Sequence, residues 1–306
     1  MSISIFGFQA LWSPYFFISL TVLTVLFFLA ATKWRHRIQD SRPITRKESA
    51  LVLSAVLIIY IIKGSPVDVW GHILFSVHMI QMGIFYLLIP PLLIAGVPNY
   101  MWKALLNLPV IKPLFSFFTK PLIALIVFNG AFSFYHIPLI FDTIKVDMLL
   151  HSIVTGTIFI FSFFMWWPLV NTLEGEYKLS GVKKIGYIFA DGILLTPACA
   201  LIIFANNPMY ETFFNGGAWL EAMALCVPAG TLQSLQGLGI TGPELFTNMQ
   251  PLEDQQVGGV IMKIIQEIIY GVILAQVFFE WYRKEKSEED ALNASLYAAR
   301  EPKTLS

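Results

Sequence analysis

Charged residues are scarce in this chain, at 13% of its 306 residues, which is about half the ~25% of a soluble domain. It has only two cysteines, Cys199 and Cys226, and this excludes a disulfide-stabilised scaffold. Basic and acidic residues are equal in number, so the sequence gives no indication of nucleic-acid binding. Hydrophobic residues make up 56%. This composition excludes both a disordered chain and an ordinary soluble domain.

The apolar residues form seven runs, which predict an all-α, polytopic membrane protein with a seven-helix transmembrane bundle. The predicted spans are Pro14–Thr32, Ser49–Gly64, His72–Ile94, Pro121–Ile140, Met148–Val170, Ile185–Phe204 and Val257–Trp281. Most reach the ~20 residues with which a helix crosses ~30 Å of hydrocarbon. We expect a transmembrane domain over residues 1–283 and a charged cytoplasmic tail over residues 284–306.

Lysine and arginine are concentrated in alternate connections between the runs. Seventeen of the 20 lie after the first, third and fifth runs or in the tail, and the other three are Lys63, Lys145 and Lys263. Because basic loops stay in the cytoplasm, the N-terminus is predicted outside and the C-terminus inside. No basic residue precedes the first run, which therefore reads as an uncleaved signal anchor.

One long connection, residues 205–256, lies on the predicted outer side. Its stretch Trp219–Leu238 is moderately apolar, yet it carries Glu221 and Pro228. We interpret it as a lid or an interfacial helix, and not as an eighth span, because a structureless loop of this length is unusual.

Four of the five histidines are predicted at one depth, in the outer half of the membrane. They are His72, His78, His136 and His151, whereas His36 lies in a basic loop. An ionisable side chain inside a span costs ~2.5–3.5 kcal/mol, so a cluster of them is a functional candidate. A lone histidine at a helix end is more often a hydrogen-bonding residue of the core. Four at one depth favour a shared metal or haem site.

Methionines accompany these histidines. His78 and Met82 are four residues apart and His72 and Met79 seven apart, so each pair shares a helix face. Imidazole suits copper in either oxidation state, and thioether sulfur selects Cu(I). The predicted copper ligands are His72, His78, His136, His151, Met79 and Met82. Methionine is also a common packing residue of apolar helices, which is the alternative for Met79 and Met82.

Haem is the main competing interpretation, because two histidines on facing helices can ligate its iron axially. The candidate pairs are His136 with His151 and His78 with His136. Such a chain would be a haem-binding or electron-transferring membrane protein. Since Cys199 and Cys226 form no CxxC pair, a copper role for Cys226 is the weaker possibility.

A second polar group lies in and before the seventh run. Its members are Asp254, Gln255, Met262, Lys263 and Glu267. Lys263 and Glu267 can pair within the membrane, either as a structural ion pair or, with Asp191, as a polar pathway of a small-ion transporter. Asp254 either caps the helix or faces the histidines. The adjacent glycines Gly258 and Gly259 predict close helix contact.

Several motifs, taken in order, resemble one known family. They are Leu11–Phe16, Lys63–Pro66, His72–Met82, Phe134–His136, Asp254–Gln256 and Gly258–Gly259. The chain resembles the CtaG-type cytochrome c oxidase assembly factors of Gram-positive bacteria over nearly its whole length.

The resemblance implies a non-enzymatic, multi-pass protein of the cell membrane that supports maturation of a haem-copper oxidase, with the oxidase subunits as partners and copper provision as its role. It also implies His72, His78, His136 and His151 as ligands, with Asp254 and Gln255 as further candidates. The sequence contains neither GxSxG nor HExxH, motifs that mark common hydrolases.

Overall fold

The computed structural model describes residues 2–173, 178–237, 239 and 242–300, with side chains described as far as residue 293. Over these residues every regular element is helical and no strand occurs, which confirms the all-α prediction. The first α-helices are α1 (Gly7–Trp12), α2 (Pro14–Ala31), α3 (Arg46–Gly64), α4 (Pro66–Ile73), α5 (Phe75–Gly83), α6 (Ile89–Gly96), α7 (Asn99–Leu106) and α8 (Ile111–Phe118). The others are α9 (Pro121–Tyr135), α10 (Pro138–Val146), α11 (Met148–Val170), α12 (Gly181–Ile203), α13 (Gly216–Met223), α14 (Ala229–Gly237) and α15 (Pro251–Arg300).

Several helical segments are long and apolar enough to cross a membrane. Five qualify outright: Ile3–Ala31, Phe75–Gly96, Met148–Val170, Gly181–Ile203 and Pro251–Asn293. Two bent pairs, α3 with α4 at 50° and α8 with α9 at 85°, raise the number to seven if each pair is one span. The multi-spanning helical architecture is as predicted. The count of seven depends on the two bent pairs, and the orientation in the membrane stays a prediction.

The predicted third span, His72–Ile94, is wrong at its N-terminal end. Leu74 is extended, with φ −116° and ψ 126°, and it separates α4 from α5. Ser65 caps α4 by accepting the N–H of Val67, and Pro66 occupies the first helical position. The local sequence therefore starts α4 at Pro66, before the predicted start of the span at His72. His72 and Met79 consequently lie on different helices, and the argument that they share one face is also wrong.

The predicted fourth span, Pro121–Ile140, also ends too late. α9 ends at Tyr135, and the next helix, α10, begins with Pro138 at its first position. Proline has no N–H and a φ already suited to a helix start, so it favours a new helix over a continuing one. His136 thereby becomes the C-cap of α9.

The helix that contains Pro90 and Pro91 continues through both prolines. A π-helical turn, Ile84–Leu88, precedes Pro90 and Pro91, and the helix then continues to Gly96. Because proline lacks an N–H, backbone carbonyls in the turn before it lose their usual helical donor. The longer hydrogen-bond pairing of a π-helical turn leaves fewer of these carbonyls unpaired.

The last helix is longer than its apolar run. α15 continues through residues 284–300, which the sequence assigns to a tail. The remaining tail, with Lys303, lies outside the described residues.

α15 packs closely against two other helices, α5 and α12. A Cβ added at Gly258 would lie 2.9 Å from Cδ1 of Phe75 and 3.0 Å from Cα of Ser76. One added at Gly259 would lie 2.7 Å from Cγ1 of Ile203. The close helix contact predicted from these two glycines is confirmed.

The described residues between 205 and 250 fold over one end of the bundle together with residues 3–12, and we call this assembly the outer cover. Its buried residues, which pack with Val69 of α4, include Phe6, Trp219, Met223 and Leu235. The predicted segment Trp219–Leu238 contains parts of two short helices, α13 and α14, and its last residue lies outside the described residues.

Candidate functional site

The four candidate histidines lie near one another at the covered end of the bundle. His72 is in the last turn of α4, His78 is in α5, His136 caps α9, and His151 is in the first turn of α11. The first three are at most 4% exposed. His78 is close enough to interact electrostatically with His136 and His151, and His151 with His72. The chain therefore brings imidazoles from four helices into one neighbourhood.

Each histidine has a buried ring nitrogen without a hydrogen-bond partner among the described residues. These atoms are Nε2 of His72, His78 and His136 and Nδ1 of His151. A buried polar atom without a partner costs about 1–3 kcal/mol, so four together require an explanation.

Two of the rings are held in a defined protonation pattern. Nδ1 of His72 lies 2.9 Å from the Asp68 carbonyl oxygen, and Nδ1 of His136 lies 2.7 Å from that of Phe132. Since a carbonyl oxygen only accepts, Nδ1 carries the hydrogen in both rings and Nε2 retains a free lone pair. Metal-binding histidines are oriented in the same way, with one nitrogen donating to a backbone carbonyl and the other facing the ion.

Aromatic rings lie beside two of the imidazoles, those of His78 and His136. The centroid of Phe141 lies 5.3 Å from that of His78 and 6.3 Å from that of His136, and Tyr135 lies 6.4 Å and 5.1 Å from the same two. Over the part of the chain that the structure describes, no three His, Cys, Asp or Glu residues are arranged to hold a metal ion. Phe141 thus contacts two of the four rings, and the described residues form no closed coordination sphere of three such ligands.

Lys145 lies inside this cluster, which the sequence analysis missed. It is 1% exposed, and its Nζ is 3.5 Å from Nδ1 of His78 and 5.3 Å from the ring centroid of Phe213. Burial, with a further contribution from the charge of Lys63, lowers the pKa of Lys145 to about 7. The available signal was a single lysine in the apolar segment between His136 and His151.

A polar strip borders His72 on the other side. Lys63 and Asp68 are 3.5 Å apart, and the side-chain amide of Gln81 donates to Asp68 at 3.1 Å. Gly71 makes room for this amide, because an added Cβ would lie 2.0 Å from Oε1 of Gln81. These contacts hold α4, the helix whose last turn contains His72, in position.

The outer cover is attached directly above the cluster. Asp142 accepts the N–H groups of Glu211 and Thr212 at 3.0 and 3.2 Å and the Thr212 hydroxyl at 2.8 Å. The Tyr210 hydroxyl donates to the His136 carbonyl at 2.8 Å. Burial raises the pKa of the Cys226 thiol in this cover, which favours the protonated form over the metal-binding thiolate.

The candidate methionines are all buried. Met82 follows His78 by one turn within α5, as the sequence predicted. Met79 packs toward α15, where its Cγ lies 3.2 Å from a Cβ added at Gly258. Met262 of α15 packs against Gly83 in the same interface.

Asp254 and Gln255 connect helices around the site. The Asp254 carboxylate accepts the N–H groups of Phe75 and Ser76 at 2.5 and 3.1 Å, and also the Ser76 hydroxyl. It therefore caps α5, the helix that carries His78, and not its own helix α15. Oε1 of Gln255 accepts the N–H of Met209 at 2.8 Å, which attaches the start of the outer cover.

The other predicted charges lie elsewhere. Lys263 and Glu267 form an ion pair of 2.8 Å, and with Tyr270 they line a cavity of about 240 Å³ between α12 and α15. The Glu267 side chain is 63% exposed, so the pair faces away from the bundle. Asp191 is buried and accepts from Asn129 at 2.5 Å and from the Tyr270 hydroxyl.

A comparison with known families identifies a match over most of the chain. A family model described as cytochrome c oxidase caa3 assembly factor (Caa3_CtaG) matches residues 25–284. The matched range contains all four histidines, Lys145 and nearly the whole bundle. No curated protein and no solved structure matches the chain.

Proposed function

Because the chain belongs to the family of cytochrome c oxidase caa3 assembly factors, we propose that it supports maturation of such an oxidase by carrying copper on its buried imidazoles. In this proposal the chain is a multi-pass protein of the cell membrane and acts in assembly, not in catalysis. Copper is its cargo, and the recipient is an oxidase subunit with a copper centre on the outer side.

The observation that carries the proposal is the set of four buried ring nitrogens without partners. Imidazole nitrogen is a preferred ligand of copper. In His72 and His136 the lone pair is fixed on Nε2 by a backbone carbonyl, as in metal sites. Because the described residues form no preformed three-ligand group, copper binding in this proposal requires two or more of these rings to approach one another. The thioether of Met82, one turn from His78, supplies a soft ligand that favours Cu(I).

A titration with Cu(I) against a competing chelator tests the site on the purified full-length chain. We expect His78→Ala and His136→Ala each to weaken copper binding by about tenfold or more, since even residues behind a ligand contribute 10–100-fold. His36→Ala is the matched control, because this histidine is exposed and lies in a basic loop. Met82→Leu should weaken Cu(I) binding while preserving the packed volume of α5.

Equal copper affinity in the wild type and both histidine variants contradicts the copper site. A Soret band in protein from haem-replete cells would assign the imidazoles to haem instead. The assembly role is measured separately, as the copper and haem content of the oxidase in membranes that contain each variant. A histidine variant could lower the copper content of the oxidase and yet bind copper as tightly as the wild type in the titration. This result would support the assembly role and reject the copper site.

A further inference from the structure

A larger cavity, of about 710 Å³, lies at the opposite end of the bundle from the histidines. It is lined by the beginnings of α3 and α12, the ends of α6 and α11, and part of α15. The candidate site lies at the other ends of these spans, since His151 opens α11 and His78 lies in the first part of its span. We call this second space the basic cavity.

Among the residues that the structure describes, lysines outnumber carboxylates at the mouth of the basic cavity. Lys47, Lys178 and Lys184 line it together with a single carboxylate, Glu280. Within the described residues none of these lysines has a carboxylate oxygen within 4 Å, although Glu280 attracts Lys184 from farther away. The mouth therefore favours an anion.

The interior of the cavity is apolar. Leu51 and Leu92 form one wall, and Ile268 and Val272 of α15 form the other. The latter two are 61% and 52% exposed, so protein side chains leave this face of α15 uncovered. From Ile268 to Glu280 the helix rises ~18 Å over twelve residues, which is close to the depth of one leaflet of a ~30 Å hydrocarbon core.

We propose that the basic cavity binds one anionic phospholipid of the leaflet on the lysine-rich side. The three lysines hold its phosphate, and its acyl chains lie along the apolar walls. A free phosphate would contact only the lysines at the mouth, and a neutral hydrocarbon would contact only the apolar walls. An anionic phospholipid contacts both. Basic pockets between transmembrane helices recognise anionic head groups in this way, and loops rich in lysine face the cytoplasmic leaflet. This inference is independent of copper binding.

Native mass spectrometry of the full-length chain in detergent tests the proposal. The chain is titrated with dioleoyl phosphatidylglycerol or with dioleoyl phosphatidylcholine. We expect phosphatidylglycerol to bind about tenfold more tightly, or better, because each lysine near a head group contributes to its affinity. The triple variant Lys47→Gln, Lys178→Gln and Lys184→Gln should lose this preference.

A second triple variant, Lys33→Gln, Lys112→Gln and Lys120→Gln, is the matched control. It removes the same charge from exposed lysines on the same side that do not line the cavity, and its lipid preference should be unchanged. Val272→Trp fills the apolar part and should lower the affinity for phosphatidylglycerol with all three lysines in place.

Three results would overturn the proposal. One is equal affinity for the two lipids in the wild type. Another is an equal loss of preference in both triple variants, which would indicate general surface charge. The third is displacement of bound lipid by inorganic phosphate at the same concentration, which would indicate a site for the anion alone.

Discussion

The side-chain nitrogen of Lys145 lies 3.5 Å from Nδ1 of His78, and both residues are almost fully buried. Burial lowers the pKa of Lys145 to about 7, so at neutral pH this amine carries a positive charge in part of the molecules, beside a histidine of a cluster that we propose to bind a cation. Two like charges 4 Å apart interact by up to about 4 kcal/mol near a protein surface. Lys145 is therefore expected to limit how tightly the cluster holds copper, which suits a carrier that must release its cargo.

Replacing Lys145 with leucine should tighten Cu(I) binding by about tenfold or more, because the repulsion is removed. The competition titration measures this directly. Lys145→Arg keeps the positive charge and should give no such gain. Weaker binding in Lys145→Leu would contradict the prediction and make Lys145 a supporting member of the site.

Asp254→Ala should destabilise the protein because it removes the cap of α5. The carboxylate accepts three hydrogen bonds from Phe75 and Ser76, and loss of a cap costs about 0.5–2 kcal/mol. Thermal unfolding in detergent should show a lower Tm for this variant. Glu253→Ala is the control, since its side chain is an exposed neighbour in the same turn. An equal Tm in the two variants would exclude the capping role.

Gly258→Ala should also lower the Tm, because the new methyl group would lie 2.9 Å from Phe75 and 3.0 Å from the backbone of Ser76. Overpacking of this kind costs about 1–3 kcal/mol. Gly271→Ala provides the comparison on the same helix, where an added Cβ has no atom within 4 Å, and it should leave the Tm unchanged or raise it. A lower Tm in Gly271→Ala than in Gly258→Ala would contradict the close packing of α15 on α5.

The spans were predictable where a long apolar run has clear ends. Met148–Val170 was predicted with the observed bounds, because Asp147 caps its start. The break at Leu74 was not predicted, since an apolar run continues across it without a change in composition. Ser65 followed by Pro66 signals the start of α4, but it does not mark the end of that helix at Leu74.

The members of the candidate site were only partly predictable. That His72, His78 and His136 lie at helix ends or near them could be expected from their positions in the apolar runs, whereas their depth in the membrane stays a prediction. The role of Lys145 does not, because its burial depends on the outer cover, which is held by contacts from Asp142 to residues some seventy positions later in the chain. Periodicity within one segment carries no information about such contacts.

If the imidazoles carry copper as we propose, the attachment of the outer cover through Asp142 and the Tyr210 hydroxyl is expected to set how fast the ion is released. While these hydrogen bonds hold, the buried imidazoles are shielded from the aqueous phase. In this proposal an ion bound there would leave when this part of the chain detaches. The release rate should therefore reach a plateau as the concentration of an acceptor protein rises, at the frequency with which the segment opens.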